Sequence, residues 1–140
     1  MKEVFDALYT HYEADVALVL AIGSLSFMVG PQADRASQRT YPYTVYSSVS
    51  QVHEHITFTE KEESFLFQFT VYTKFPDDIE IALLAFIGTD DPAVGFDDAL
   101  LSPAGFEPSK LHRESVVRGH RESNDVYSIT VTYSIDLEIL

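Results

Sequence analysis

Hydrophobic side chains recur with two different periods along this 140-residue chain. Near its start Val4, Phe5, Leu8, Tyr9 and Tyr12 fall at i, i+4 and i+8, one apolar stripe that predicts a helix over residues 3–13. Asp15 then stands before the apolar run Val16–Ile22, and Gly23 closes it. An acidic N-cap and a glycine stop predict a second, short helix there. A third helix opens at Phe75-Pro76-Asp77-Asp78, because proline is tolerated at the first helical position and carboxylates suit the positive end of the helix dipole. Its buried stripe is Ile79, Ala82, Leu83, Phe86 and Ile87, and Gly88 stops it.

Elsewhere the period is two. Ser24–Val29 predicts a first strand, ended by Gly30-Pro31, and residues 32–40 form a polar loop without periodicity. Pro42 stands at a strand entrance, where its missing N–H does little harm. The strand it opens runs over Tyr43–Val52 with Tyr43, Val45, Ser47 and Val49 on one face. A polar turn follows at Thr59–Glu63. The central strand is Ser64–Thr73, with Phe65, Phe67, Phe69 and Val71 facing away from Leu66, Gln68, Thr70 and Tyr72. Asp91-Pro92 starts a short turn or helix through Leu101, and Ser102-Pro103-Ala104-Gly105 is a loop. In the last segment Tyr127, Ile129, Val131, Tyr133, Ile135, Leu137 and Ile139 alternate with polar residues. That is a long strand with one wet face, joined through residues 121–125 to a less regular strand over Leu111–Arg121. The order helix, helix, strands, helix, hairpin does not alternate as a doubly wound fold would. The chain is therefore expected to be one α+β domain, residues 1–140. Its sheet is mostly antiparallel or mixed, with N-terminal helices and one amphipathic helix packed on it.

Charge narrows the function classes. Nine Lys and Arg against 22 Asp and Glu give a formal net charge of −13. A nucleic-acid reader needs a basic footprint, and phosphates would repel this chain. The one basic region, Lys110, His112, Arg113, Arg118, His120 and Arg121, reads as a solvated hairpin. The absence of cysteine excludes a disulfide framework or thiolate metal site and fits a reducing compartment. No apolar run approaches the ~20 residues that span a bilayer. The N-terminus carries acidic residues where an export signal would be basic, so neither anchor nor signal is expected.

Catalytic patterns are missing too. There is no Gly-x-Ser-x-Gly elbow and no P-loop, and the six glycines are scattered. His53-x-His55 puts two imidazoles on one face of a strand, half of a possible metal site, with His112 and His120 as residues that a neighbouring strand could contribute. Zinc requires three or four converging ligands, and the simpler reading is a pair of solvent-facing histidines. The pairs Asp77-Asp78, Asp90-Asp91 and Asp97-Asp98 lack the ligand order of a calcium loop and read as caps and a solvated acidic face. A non-enzyme with no metal and no cofactor is the expectation.

The layout also carries a resemblance. A helix and a short second helix are followed by a polar loop. Then come a Pro-Tyr-x-Val-Tyr strand at Pro42, Tyr43, Val45 and Tyr46, and a Phe-x-Phe-x-Val-Tyr strand at Phe67, Phe69, Val71 and Tyr72. An amphipathic helix and a long closing strand complete the chain. This resembles the tail-terminator or tail-completion proteins of tailed bacteriophages, components of the head–tail neck. The resemblance implies a structural virion protein: a ring, commonly of six copies, that caps the finished tail tube and docks to the head connector or neck. Its partners would be further copies of itself, the tube protein and the connector, with genomic DNA passing the lumen unbound and no membrane involved. It would reside in the virion's tail–neck region after assembly in the host bacterial cytoplasm. In such a ring the 32–40 loop and the 118–125 turn would meet neighbours, with Arg35, Arg39, Arg118 and Arg121 as candidates for ion pairs between subunits. Two other classes stand beside this one. One is an acidic protein-binding module or inhibitor of a basic target. The other is a small enzyme or ligand-binding domain assembled from scattered His and Asp residues.

Overall fold

Asp15 shows how local chemistry sets the helical start of the chain. In a computed structural model, which describes residues 2–27, 42–55, 61–90, 93–121 and 125–139, helix α1 (Lys2–Ala14) breaks at this residue and α2 (Val16–Ile22) begins. The extended Asp15 backbone lets its carboxylate accept from Leu18 N at 3.1 Å, as an N-cap should. Gly23 ends α2 with φ +67°, its N–H bonded to the Val19 carbonyl at 3.0 Å. A side chain there would collide with the carbonyl oxygen of Pro42, so both the conformation and the space call for glycine.

The strands follow: β1 (Ser24–Phe27), β2 (Tyr43–His55) and β3 (Lys61–Thr73) precede α3 (Pro76–Ile87), which has proline in its first turn as expected. Four two-residue strands come next, β4 (Thr89–Asp90), β5 (Ala93–Val94), β6 (Leu100–Leu101) and β7 (Ser109–Lys110). The long hairpin of β8 (His112–Arg121) and β9 (Val126–Glu138) ends the chain. The main sheet has the order β1-β2-β3-β9-β8. Only β1 runs parallel to its neighbour, so the sheet is mixed and the fold α+β.

Register builds the core. Phe65, Phe67, Phe69 and Val71 of β3 stand opposite Ile135, Tyr133, Val131 and Ile129 of β9, and all eight are buried. The helices cover this face with Val4, Leu8, Leu18, Ile22, Ile79, Ala82 and Phe86. Burying each large apolar side chain contributes ~1.5–3 kcal/mol, so this face dominates the stability. Phe69, Phe86, Phe96 and Tyr133 form one aromatic cluster, their ring centroids 5.0–6.2 Å apart. On the other face Thr70 and Thr130 oxygens lie 3.1 Å apart.

Two expectations need correction and a third is narrowed. Lys61–Glu63 are not part of a turn; they extend β3 and pair with β2. In β2 a bulge between Ser48 and Ser50 breaks the alternation. Tyr43, Val45 and Ser47 share the face turned away from the helices, where Tyr43 and Val45 are nonetheless buried, but Ser50 rather than Val49 makes the next pair, with Leu66. Of the turn or helix expected through Leu101 only the turn is present, at Asp97-Asp98 with Asp98 at φ +57°, set between β5 and β6 with no helix. Long-range backbone bonds fix it, since the Phe86 carbonyl accepts from Phe96 N (2.8 Å) and Asp97 N (3.0 Å). Asp91-Pro92, residues 28–41 with the expected loop, the 56–60 part of the β2–β3 connection and residues 122–124 lie outside the described residues.

Candidate assembly surfaces

The arginines singled out for contacts between subunits have different settings. Arg35 and Arg39 lie outside the described residues. Arg118, on β8, pairs within its own chain: Nε donates to Glu80 Oε1 at 2.9 Å and an Nη donates to Oε2 at 3.2 Å. This fork onto α3 holds the guanidinium pKa above its ordinary value, through the hydrogen bond first and the charge of Glu80 second. Both side chains are more than half exposed, so the pair is a surface one. Arg121 closes β8, exposed, beside the turn to β9.

The histidines do not converge. His53 and His55 sit at the end of β2, paired in register with Glu63 and Lys61; their side chains lie outside the described residues. His112 and His120 are on β8, and β3 and β9 intervene. Three strand spacings, about 14 Å, separate the two strands, far beyond the ~2 Å of a metal–nitrogen bond. His120 instead stacks on Tyr127 with centroids 4.2 Å apart and meets Asp125 at 2.9 Å. His112 lies 3.9 Å from Asp98. Among the described residues no three His, Asp or Glu side chains gather as a metal site.

Polar groups inside the fold bind its parts to one another. Tyr133 donates to Asp97 Oδ1 at 2.6 Å, and Arg113 approaches the other oxygen of Asp97 at 3.6 Å. Burial foremost, then the bond to Asp97, holds the Tyr133 phenol protonated far above its ordinary range. The His11 ring N–H donates to the Gly95 carbonyl at 2.6 Å. Beside it an open cleft of about 510 Å³ lies between α1 and β6, lined by Glu3, Asp6, Thr10, His11, Leu101 and Pro103 among others. Within the cleft Thr10 turns its hydroxyl onto the Asp6 carbonyl of its own helix. This lining sets carboxylates beside a partly apolar floor.

The outer side of the helical layer is different in character. Val16 (71% exposed) and Leu20 (76%) on α2, and Ile81 (53%) and Leu84 (67%) on α3, all face outward. The two helices pack on each other. A signal for this was present in the sequence: Val-Ala-Leu-Val-Leu-Ala-Ile has no polar position, so α2 must show apolar side chains wherever nothing covers it. At the sheet edge β8 is exposed along nearly its whole length, with Val117 61% exposed between its cations.

Comparisons with known proteins place the fold. No family model matches the chain, and no curated protein matches it. Among solved structures, a chain of the virion of a native gene transfer agent particle superposes with a TM-score of 0.61 at 19% identity. The match covers 95% of this chain and 92% of that one. At this identity the likeness establishes a shared α+β fold over nearly the whole of both chains.

Proposed function

We propose that the protein is a structural component of a phage-like virion, acting at the tail–neck junction as a ring that caps the tail tube and joins it to the head connector. The observation that carries this reading is the whole-chain likeness to a chain of a gene transfer agent virion. The strand and helix order that resembles tail-terminator proteins supports the finer role. The surfaces agree with it. The outer layer of α2 and α3 shows four large apolar side chains that a neighbouring subunit could cover. A charge of −13 suits a ring around a genome's path, because acidic walls keep DNA from adhering. The role needs neither catalysis nor a cofactor.

The test is the mass of the purified protein by light scattering over a concentration series, with and without tail tubes. A closed ring, or assembly triggered by tubes, supports the reading. A strict monomer that ignores tubes moves the weight to an acidic binding module, which the same charge would equip to hold a basic protein.

A further inference from the structure

Two exposed surfaces of this chain are unlike each other and complementary. The first is the outer stripe of the helical layer, Val16 and Leu20 of α2 with Ile81 and Leu84 of α3. No ionisable residue occurs in α2. On α3, Asp77, Ile81 and Leu84 follow at i, i+4 and i+7, so a carboxylate stands at the head of the apolar stripe, with exposed Glu80 at its flank. The second surface is the edge strand β8. It carries Arg113, Arg118 and Arg121 against Glu114, with Lys110 on β7 just before it. Arg113 and Arg118 already pair with Asp97 and Glu80 of their own chain, so Arg121 and exposed Val117 are what the strand offers a neighbour.

We propose that the apolar stripe of α2 and α3 seats a second copy of this chain, which brings its own basic strand β8 to it. Resting on the ring reading above, the inference names the surfaces that would build such a ring. Electrostatics selects the occupant. Two chains that each carry −13 repel over most of their surface. They can touch where carboxylates are absent, as on α2, or where cations of one meet carboxylates of the other. The stripe and β8 supply both conditions: Val117 meets the apolar side chains, and Arg121 reaches toward Asp77, while Glu80 at the flank is shared with Arg118 of its own chain. An apolar centre with a charged rim is the ordinary anatomy of a protein interface. Because the two surfaces differ, the contact is heterologous. Each bound copy leaves one stripe and one strand free, so addition continues until the ring closes.

The experiment uses three full-length proteins: wild type, a stripe variant (Leu20→Asp with Leu84→Asp) and a strand variant (Val117→Asp with Arg121→Glu). All these positions are exposed, and urea unfolding of each variant checks that it is folded. Light scattering then reads association. Wild type is expected to assemble, and each variant alone to need at least ten-fold more protein to do so. Mixed in equal amounts, the two variants are expected to give a one-to-one dimer that grows no further, because one intact stripe then meets one intact strand. Variants that assemble as wild type does overturn the proposed surfaces and leave the ring reading standing. A strand variant that still dimerises alone shows stripe against stripe and overturns the heterologous contact. Stripe variants that form rings but lose hold of tail tubes assign the stripe to another protein and overturn the proposal. Wild type that stays monomeric with and without tubes overturns the ring reading itself and the inference with it.

Discussion

Asp15 and Gly95 stand 80 residues apart in the chain, yet the Asp15 carboxylate accepts the Gly95 N–H at 2.7 Å. Its other oxygen accepts from Leu18 N. One buried carboxylate thus caps α2 and fastens the 93–101 segment to the helical layer. Asp15→Ala removes a cap worth ~1 kcal/mol and leaves a buried N–H unsatisfied, a further ~1–3 kcal/mol. The expected loss is about 2–4 kcal/mol in urea unfolding. A loss below ~0.5 kcal/mol would mean that solvent satisfies both donors and that the carboxylate holds nothing together.

Tyr133 plays the matching part on the sheet. Its ring is enclosed by Phe69, Phe86 and Phe96, and its hydroxyl holds Asp97. Tyr133→Phe keeps the packing and deletes one bond to a carboxylate, so a loss of about 1–3 kcal/mol is expected. The measurement is the unfolding midpoint, with an unchanged m-value showing that the core has not loosened.

Alkaline pH tests the same buried phenols together. Tyr12, Tyr46 and Tyr133 all have pKa values raised by burial first, with nearby charges and phenols adding to it. In the unfolded chain they ionise near pH 10. Above that pH the native state holds more protons than the unfolded one, so stability falls as pH rises. Below it the contribution is fully present. Ultraviolet titration of phenolate is therefore expected to leave these tyrosines unionised in the folded protein past pH 10, then to show them ionising together as it unfolds. Smooth ionisation of all eight tyrosines near pH 10 without unfolding would contradict this.

What could be read in advance depended on whether the cause was local. The ends of α2 were legible because Asp15 and Gly23 act on their own neighbours. Strand β9 was legible because one alternation runs from Ile129 to Leu137. The bulge in β2 was hidden, since Ser47, Ser48 and Ser50 carry no apolar alternation to break. The 93–101 segment was hidden for the opposite reason: its bonds go to Asp15 and to the Phe86 carbonyl, which no local pattern records. Strand order decided the fate of the histidines. A sequence does not reveal that β9 lies between β3 and β8, and that insertion carries His112 and His120 away from β2. The exposed stripe of α2 could have been found from its lack of any polar residue.

Gly23 offers a backbone test. Its positive φ costs an L-residue roughly 1–2 kcal/mol, and the Pro42 carbonyl occupies the place of a Cβ. Gly23→Ala is therefore expected to destabilise by more than about 2 kcal/mol. Gly105 is the control: its φ is +85° but nothing lies near its missing Cβ, so Gly105→Ala should show the conformational cost alone. Equal effects at the two positions would show that β2 can shift away from the end of α2.

Arg118 separates folding from assembly. Its fork onto Glu80 joins β8 to α3 at the surface, where water and salt screen the pair and both side chains give up freedom to form it. Arg118→Ala is expected to leave the urea midpoint of the isolated chain unchanged within error, at low salt as at high. The same substitution releases Glu80, at the rim of the proposed seat, to meet the neighbour's Arg121. Association is then expected to tighten, and to tighten more at low salt than at high. A variant that loses stability while associating normally would assign the pair to the fold alone. The reverse result would assign it to the contact between copies.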